Sequence, residues 1–431
     1  MSMDEKKTPV QKPISRRNLL KGVGALGAIA TAASISKIPG LSGSDGMAYA
    51  VTEAETIPAE ISSDYKRMDQ KYTTFMRAGW DPEIAPLLKT FLAKRHGQIP
   101  YEEGPGFTDI DFALSGAAWS IEEDAGGPGV GAGVGNMGLY SWEGHINPKQ
   151  KKFDSPEQAS EIVKKATSFL GADLVGIAPY DERWVYTHSY HPLTQKGGPI
   201  EFPFEPKSVI VMAIEMDYDA YRTSPSLIAS AGTATGYGEM ITTAHKVATF
   251  CRQLGYHAVP CGNDTAMSIP LAIQAGLGEI SRMGLLITPK YGPRVRLCKV
   301  YTDLPLKEDK PITFGVVDFC KVCMKCADNC PSDAISKDQE PSFNTVSISN
   351  NPGVKKWVIK PENCFKYWAE HIDCCNCVAC CPYNKIEEWH HDLSKLATQT
   401  PAKPILRYFD ELFGYGKTFN TDYMTEWWNN K

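Results

Sequence analysis

A cysteine-rich segment near the C-terminal end constrains this chain more than any other feature. The 431 residues include thirteen cysteines, of which none precedes Cys251 and ten fall between Cys320 and Cys381. An odd number gathered in one segment of a large chain differs from the even, dispersed pattern of a small disulfide-bonded scaffold. The distribution therefore predicts one metal-binding module in a chain that is otherwise poor in cysteine.

The first motif, CKVCMKCADNCP, has the spacing of bacterial ferredoxins. Its cysteines follow the pattern C-x2-C-x2-C-x3-C-P, in which three thiolates hold one 4Fe-4S cluster and the fourth ligates a second cluster. A zinc site would instead need four cysteines converging on one ion, which this run seldom provides. The motif supplies Cys320, Cys323, Cys326 and Cys330.

A second motif is best matched by Cys374-x2-Cys377-x3-Cys381, because it too ends in Cys-Pro. Together with the isolated Cys364, the two motifs provide four thiolates for each cluster. A competing register uses Cys380 in place of Cys364 and stays open, and Cys375 is left over in the preferred register. The predicted ligands are Cys320, Cys323, Cys326 and Cys381 for one 4Fe-4S cluster, and Cys330, Cys364, Cys374 and Cys377 for the other.

The N-terminal segment has the layout of an export signal. Arg16 and Arg17 follow a lysine-containing start and precede a short apolar run over 22–33, and Ala-Tyr-Ala at 48–50 offers a cleavage site. Paired arginines in this context indicate the twin-arginine route. We therefore expect residues 1–50 to be removed and the protein to act outside the cytoplasmic membrane. Export in the folded state would allow the clusters to be assembled beforehand.

The remaining composition is that of a globular protein. Hydrophobic residues make up 42% and charged residues 22% of the chain, as in soluble domains. A net charge of −5 argues against a nucleic-acid partner, which usually requires a basic surface. Gly133-x-Gly135-x-x-Gly138 matches a dinucleotide-binding fingerprint, but it lacks the preceding strand and the acidic residue that this site needs, so we interpret it as a loop.

Upstream of the cysteines, helical and strand patterns alternate, which predicts an α+β fold around one sheet. Ser155 and Gln158 mark the start of a capped helix. Helices are expected over 154–172, 238–254 and 266–275, and strands over 173–178, 208–214, 257–259, 285–288 and 296–301. Five regions are expected: the signal peptide 1–50, an N-terminal region 51–150 that contributes to a binding pocket, a core 151–314, a ferredoxin-like domain 315–390 and an aromatic-rich tail 391–431 that packs on the core.

The stretch GYHAVPCGNDTAMSIPLAIQAGLGEISRMGLLITPKYGPRVRLCKVYTDLPL, which runs from Gly255 to Leu306, is the most telling part of that core. Followed by two ferredoxin-like motifs and preceded by a twin-arginine signal, it resembles the respiratory reductive dehalogenases. The resemblance covers about 155–395 and the signal. A similar stretch occurs in epoxyqueuosine reductase, a cytoplasmic tRNA-modifying relative with the same cofactors but without an export signal.

The resemblance implies a nitroreductase-like cobalamin-binding core and a C-terminal ferredoxin-like domain with two 4Fe-4S clusters. It implies a base-off cobalamin-type corrinoid without a protein ligand below cobalt. The implied partners are a small organohalide substrate, a small integral-membrane anchor protein and an upstream respiratory electron donor. The implied reaction is a two-electron, one-proton cleavage of a carbon–halogen bond at Co(I) cobalamin. The alternatives are an epoxyqueuosine-reductase-like enzyme and a plain ferredoxin-type electron-transfer subunit.

By motif context, the family's catalytic residues fall on Tyr237 as proton donor, Arg296 beside it and Asn263 near the substrate. A tyrosine with a pKa of about 10 keeps its proton at neutral pH, and a guanidinium favours the phenolate left after proton transfer. A helix predicted to begin at Gly238 would add its N-terminal dipole.

Simpler interpretations of these three residues stay open. Tyr237 also suits a packed aromatic and Asn263 a turn. Arg296 also suits an ordinary ion-pair partner, with Arg294 as its rival for the place beside the tyrosine. The candidates for an apolar substrate pocket are Trp80, Trp119 and Trp142.

Overall fold

The fold is described from a computed structural model. The described residues are 50–100, 102–125, 137–371, 373–401 and 403–429, except for the side chains of Trp389, His390 and Leu393. Residues 1–49 of the predicted signal peptide, which include its arginine pair, and the glycine pair Gly133 and Gly135 lie outside these residues. Among the described helices, none is long and apolar enough to cross a membrane.

The secondary structure combines short helices with short strands, two long helices and one main sheet. The strands are β1 Thr52–Glu53, β2 Leu174–Pro179, β3 His188–His191, β4 Lys196–Pro199, β5 Ser208–Glu215, β6 Ala258–Cys261, β7 Glu279–Ile280, β8 Leu286–Ile287, β9 Val295–Thr302 and β10 Ile312–Thr313. The helices are α1 Thr74–Arg77, α2 Ala85–Arg95, α3 Asp109–Ala125, α4 Pro156–Phe169, α5 Tyr218–Arg222, α6 Leu227–Gln253, α7 Ser268–Gln274, α8 Val316–Cys323, α9 Lys325–Asp328, α10 Pro361–His371, α11 Asn376–Ala379, α12 Trp389–Ala397, α13 Lys403–Leu412 and α14 Thr421–Trp427.

The main sheet has four strands in the order β2-β5-β9-β6, and every pairing in it is antiparallel. The central strand β5, with the sequence SVIVMAIE, is buried along nearly its whole length. Its alternate residues point to opposite faces. Residues such as Met212 pack with α4 and α6 on one face, and residues such as Val211 pack with α7 on the other. Helices segregated around an antiparallel sheet give the α+β class that the sequence predicts.

Helix α4 begins where the sequence predicts. The hydroxyl of Ser155 accepts a hydrogen bond from the backbone N–H of Gln158 at 3.2 Å. The Gln158 side chain in turn accepts from the backbone N–H of Asp154 at 2.9 Å. These reciprocal bonds satisfy backbone donors that a helix start leaves unpaired.

Helix α6 begins eleven residues before the predicted start at Gly238, so that prediction is wrong. Its true N-cap is Ser226, whose hydroxyl accepts from the N–H of Ala229. The glycines inside the helix serve packing: a Cβ added at Gly236 would lie 2.9 Å from side-chain atoms of Arg296 and Met216. Tyr237 therefore sits in the middle of the helix. The predicted support from an N-terminal dipole is also wrong, because that effect is confined to the first turn.

The cysteine-rich segment folds into short helices and shares an apolar cluster with upstream residues such as Met216 and Ile287. Phe314, Phe319 and Tyr383 pack together there with several of the cysteines. Met324 adopts a left-handed conformation (φ 54°) between α8 and α9. This reversal turns the chain sharply, and the cysteines on either side of it, Cys323 and Cys326, line one cavity.

The close packing of α7 on strand β2 gives a prediction about stability. A Cβ at Gly176 would lie 2.0 Å from the backbone oxygen of Ala275, which cannot move without shifting the helix end. We expect Gly176→Ala to lower the free energy of unfolding by about 1–3 kcal/mol. Thermal melting followed by circular dichroism measures the effect, with Gly198→Ala as control because no atom lies within 4 Å of its added Cβ. Equal melting temperatures for the two variants would contradict the packing.

Candidate active site

The site centres on Tyr237, which projects from α6 into the core and is 8% exposed. Its ring packs beside Trp119, with ring centroids 5.4 Å apart. The guanidinium carbon of Arg296 lies 4.1 Å from its ring centroid. An aromatic face at this distance attracts a cation, so packing and electrostatics both hold the two side chains together.

The phenol oxygen of Tyr237 accepts two hydrogen bonds. Arg296 Nη2 donates to it at 2.8 Å, and Asn263 Nδ2 donates at 2.9 Å. The structure therefore brings together all three residues that the sequence proposes. Because both neighbours act as donors, the hydrogen of the phenol itself is shared with neither of them and can be given to a third atom.

Different elements deliver the three side chains. Arg296 belongs to β9 and points to the face of the sheet that α6 covers, with Cys298 two residues on. Asn263 lies in the turn that follows β6. Asp264 in the same turn accepts from the N–H of Gly262 at 2.7 Å, which fixes the turn. Asn263 is thus both a turn residue and a partner of Tyr237.

Lys299, which the sequence reasoning missed, holds this turn in place. Lys299 Nζ is fully buried and donates to the backbone oxygens of Gly262 (2.5 Å), Asp264 (2.9 Å) and Ala266 (2.8 Å). The signal available in the sequence is a lysine inside a strand whose neighbours are all apolar. A buried ammonium group needs such a set of oxygens to offset the loss of water.

The pKa of Tyr237 is raised above its usual value. Burial is the largest cause, and the charges of Glu122 and Asp373 act in the same direction. Arg296 and the hydrogen bond from Asn263 lower it. The balance keeps the phenol protonated at neutral pH, while the two donors stabilise the phenolate that proton transfer would leave.

Arg294, the rival of Arg296, is occupied elsewhere. It forms a salt bridge with Glu215 at 2.5 Å and donates to Asn384 Oδ1 at 3.1 Å and to the backbone oxygen of Met216. Its side chain is 2% exposed. Arg294 therefore ties the end of β5 to the cysteine-rich segment, and Arg296 is the arginine that contacts the tyrosine.

Of the three tryptophans proposed for a pocket, Trp119 is the one beside Tyr237. Its indole N–H donates to Ser230 Oγ at 3.1 Å, and Arg95 lies over its ring at 4.0 Å. Trp80 is partly exposed and donates to the backbone oxygen of Lys71. Trp142 stacks on Phe202 at 5.4 Å, in the core on the other side of the sheet.

Buried polar groups surround Tyr237, Arg296 and Asn263. Among the described residues, Tyr140 Oη, Arg296 Nε and Asp373 Oδ2 find no hydrogen-bond partner. Burial, together with Cys298, Asp264, Glu122 and Tyr237, raises the pKa of Tyr140. Buried donors and acceptors are nearly always paired, so this side of the site is shaped for a polar group. The sequence reasoning missed Tyr140, which no motif marks.

The first predicted set of cysteines lines one cavity. Cys320, Cys323, Cys326 and Cys381 face it together with the apolar side chains of Phe319 and Tyr383. Burial raises the pKa of Cys320 to about 12 and that of Cys323 to about 11. Such thiols need a nearby cation to become thiolates, which iron would supply.

The second predicted set is also drawn together. Burial raises the pKa of Cys377 to about 12, and the neighbouring Cys364 and Cys330 raise it further. Cys374 interacts electrostatically with Cys377 and Cys364. Within the described part of the chain, no three His, Cys, Asp or Glu side chains stand close enough to bind a single metal ion. Cluster ligands instead surround several iron atoms.

Within the cysteine-rich segment, the two cysteines outside this assignment, Cys375 and Cys380, are fully or almost fully buried. Cys375 lies near Ser224, whose hydroxyl accepts from its backbone N–H at 3.0 Å. Cys380 interacts electrostatically with Cys326 first and then with Cys377, so it borders both sets. Cys364 interacts electrostatically with Cys330, so both Cys364 and Cys380 lie near members of the second set.

Comparison with known proteins identifies the family. No protein-family model matches the chain. A tetrachloroethene reductive dehalogenase of Desulfitobacterium hafniense is 41% identical over 420 residues, which covers 80% of this chain and 75% of the relative. A tetrachloroethene reductive dehalogenase of Sulfurospirillum multivorans is 31% identical over 485 aligned positions, which covers 100% of this chain and 95% of the relative.

Solved structures agree in fold. The catabolic reductive dehalogenase NpRdhA superposes with a TM-score of 0.69 at 24% identity, and the match covers 88% of this chain and 50% of that one. The chain thus spans half the length of this solved relative. The match confirms an α+β protein with the overall architecture of a reductive dehalogenase.

The family suggested by the 255–306 stretch, together with the two ferredoxin-like motifs and the twin-arginine signal, is therefore confirmed. The epoxyqueuosine reductase and ferredoxin-subunit alternatives are not favoured, because relatives named as reductive dehalogenases align over most or all of the chain. This chain belongs to the reductive dehalogenase family and is an oxidoreductase.

Proposed function

We propose that this chain removes a halogen from small chlorinated ethenes, with a corrinoid and two 4Fe-4S clusters as cofactors. The observation that carries the proposal is the buried phenol of Tyr237, which accepts from Arg296 and Asn263 and keeps its own hydrogen available. Tetrachloroethene is the first candidate substrate, because it is the one for which the relatives at 41% and 31% identity are named.

The proposed clusters fit the two cysteine sets. Cys320, Cys323, Cys326 and Cys381 already line a cavity, and thiolates are the ligands that iron–sulfur clusters use. Cys330, Cys364, Cys374 and Cys377 would hold the second cluster. We propose the ferredoxin-like domain 315–390 and the nitroreductase-like core 151–314 as the regions that hold clusters and corrinoid.

A corrinoid fits the polar groups around Tyr237, Arg296 and Asn263. The ring carries several amide side chains, each of which both donates and accepts hydrogen bonds. The unpaired Arg296 Nε, Asp373 Oδ2 and Tyr140 Oη supply matching donors and acceptors. For a solved reductive dehalogenase with the same fold, the structure suggests a mechanism of B12-dependent dehalogenation. When bound, the corrinoid would supply a cobalt centre that delivers electrons to the carbon–halogen bond.

The residues of this chain supply the proton and hold the charges. The overall change replaces a carbon–halogen bond by a carbon–hydrogen bond, consumes two electrons and one proton, and releases a halide. Tyr237 gives its proton to carbon, and Arg296 and Asn263 stabilise the phenolate oxygen by the two bonds that they already make. Trp119 covers one side of the ring and keeps water away.

The proton-donor role predicts a large loss in Tyr237→Phe. With cofactor content unchanged, we expect chloride release from tetrachloroethene, driven by reduced viologen, to fall roughly 10²–10⁴-fold. Because the pKa of Tyr237 is raised, its deprotonation should not limit the wild-type rate below a pH of about 10. The half-exposed Tyr190 provides a control as Tyr190→Phe. Undiminished turnover in a fully loaded Tyr237→Phe enzyme would refute the role.

The cluster assignment predicts iron content. Two 4Fe-4S clusters require about eight iron atoms per chain, and the corrinoid adds one cobalt. We expect Cys364→Ala to lose one cluster and retain about four iron atoms, whereas Cys375→Ala retains all of them. Metal analysis after anaerobic reconstitution decides between the registers: iron loss in Cys380→Ala, with full loading in Cys364→Ala, would favour the competing one.

We further propose that the twin-arginine signal exports the folded protein, and that a small integral-membrane anchor holds it near its respiratory electron donor. Arg16 and Arg17 support this proposal. Replacing both by lysine should leave the protein in the cytoplasm with its signal uncleaved. Fractionation of the producing cells and N-terminal sequencing check the outcome, and cleavage near Ala50 in the variant would contradict the route.

A further inference from the structure

Three charged side chains form a buried group beside the cysteine-rich segment. Asp410 on α13 accepts from Lys385 Nζ at 2.5 Å and also from Lys325 Nζ. The side chains are 3% exposed for each lysine and 8% for the aspartate. Lys325 also donates to the backbone oxygen of Tyr415 at 2.8 Å, and Lys385 lies 3.8 Å from the centre of the Tyr415 ring. We call Lys325, Lys385 and Asp410 the buried charge group.

This group lies against one of the two cysteine sets. Lys325 stands between Cys323 and Cys326 in the chain and forms the start of α9. Lys325 lowers the pKa of Cys323 whereas Asp410 raises it, and Lys385 interacts electrostatically with Cys381. All three of these cysteines line the same cavity.

The composition of the group is more than a structural link requires. One lysine would neutralise Asp410, whereas two protonated lysines give the group a formal net charge of +1. Burial lowers the pKa of Lys385 and Lys325 adds to this, whereas Asp410 raises it. A buried ion pair is weak evidence for stabilisation, because desolvation offsets the attraction between its charges. A second buried lysine adds a further desolvation cost. Pairing with Asp410 does not explain this cost, so we expect another role for the second lysine.

Two arginines also contact the backbone of this cysteine set. Arg407, on the same helix as Asp410, donates to the backbone oxygen of Cys323 at 2.9 Å, while the carboxylates of Asp328 and Glu411 balance its charge at 2.6 and 2.9 Å. Arg282 is fully buried and donates to the backbone oxygen of Cys320 at 2.8 and 3.1 Å. Cations thus approach this cysteine set from the core, from α9 and from α13.

We propose that the buried charge group raises the reduction potential of the cluster held by Cys320, Cys323, Cys326 and Cys381. Reduction adds one negative charge to a cluster, and a buried positive charge nearby stabilises the reduced form because the interior screens it weakly. Lys385 is then a positioning residue for electron transfer that acts through the cluster. The inference rests on the proposed presence of that cluster.

The test compares midpoint potentials, measured by redox titration with electron paramagnetic resonance on the full-length holoenzyme. In Lys385→Met, one of the two cluster potentials should fall. At a fixed potential its ratio of reduced to oxidised form should drop roughly tenfold, which corresponds to about 59 mV for a one-electron couple. The double variant Asp410→Asn/Lys385→Met removes one charge of each sign, so its potential should return toward the wild-type value.

Two variants serve as controls. Lys385→Arg keeps the charge and should keep the potential. Lys337→Gln removes a lysine of the same segment whose side chain is 56% exposed, and solvent screening should leave both potentials unchanged. If Lys385→Met does not bind both clusters, Lys385→Gln replaces it in the comparison.

The outcomes separate this inference from the proposed function. Wild-type protein without two cluster signals after reconstitution would refute the cofactor proposal itself. Two clusters with potentials unmoved in Lys385→Met, or a double variant shifted as far as the single one, would overturn the inference. Failure of both neutral variants to bind iron, with full loading of Lys385→Arg, would assign the group to assembly and overturn it as well.

Discussion

Side-chain alternation along β9 is the constraint on which the site depends. Arg296 points to the face covered by α6 and reaches Tyr237, while Lys299 points to the opposite face and holds the turn of Asn263. One strand therefore positions both donors to the phenol, one directly and the other through the turn. Because β9 is paired on both sides by β5 and β6, neither residue can shift without disturbing the sheet.

Burial gives the same residues their chemical character. Desolvation raises the pKa of Tyr237 and would leave a phenolate costly to form, but Arg296 and Asn263 act against it. The thiols follow the same rule: burial raises the pKa of Cys320 and Cys323, so they become ligands only where a metal supplies positive charge. In both places burial makes the uncompensated charged state unfavourable. Arg296 and Asn263 compensate it at the phenol, and a bound metal would do so at the thiols.

Local patterns predicted those parts of the molecule that local physics determines. The strands of the main sheet and the Ser155 cap follow from short-range signals, and the structure has them within a few residues. The start of α6 was mispredicted because a glycine inside a helix normally costs stability, whereas at Gly236 it permits contact with Arg296. Lys299 and Tyr140 were missed because their importance lies in partners far away in sequence. Only the resemblance to a family pointed to Tyr237, Arg296 and Asn263, which no local pattern distinguishes.

The physical unit around the cysteines is larger than their motifs suggest. Asp410 lies beyond the expected domain end at 390, yet it is the carboxylate that contacts the buried Lys325 and Lys385. From the core, Ser224 donates to Asn376 at 2.7 Å and accepts from the N–H of Cys375. A segment cut at the motif boundaries would leave two buried lysines without their carboxylate, which is among the most destabilising changes that a core can suffer. The cysteine motifs mark where a cluster would be held, and the packing shows that core and C-terminal helix complete its surroundings.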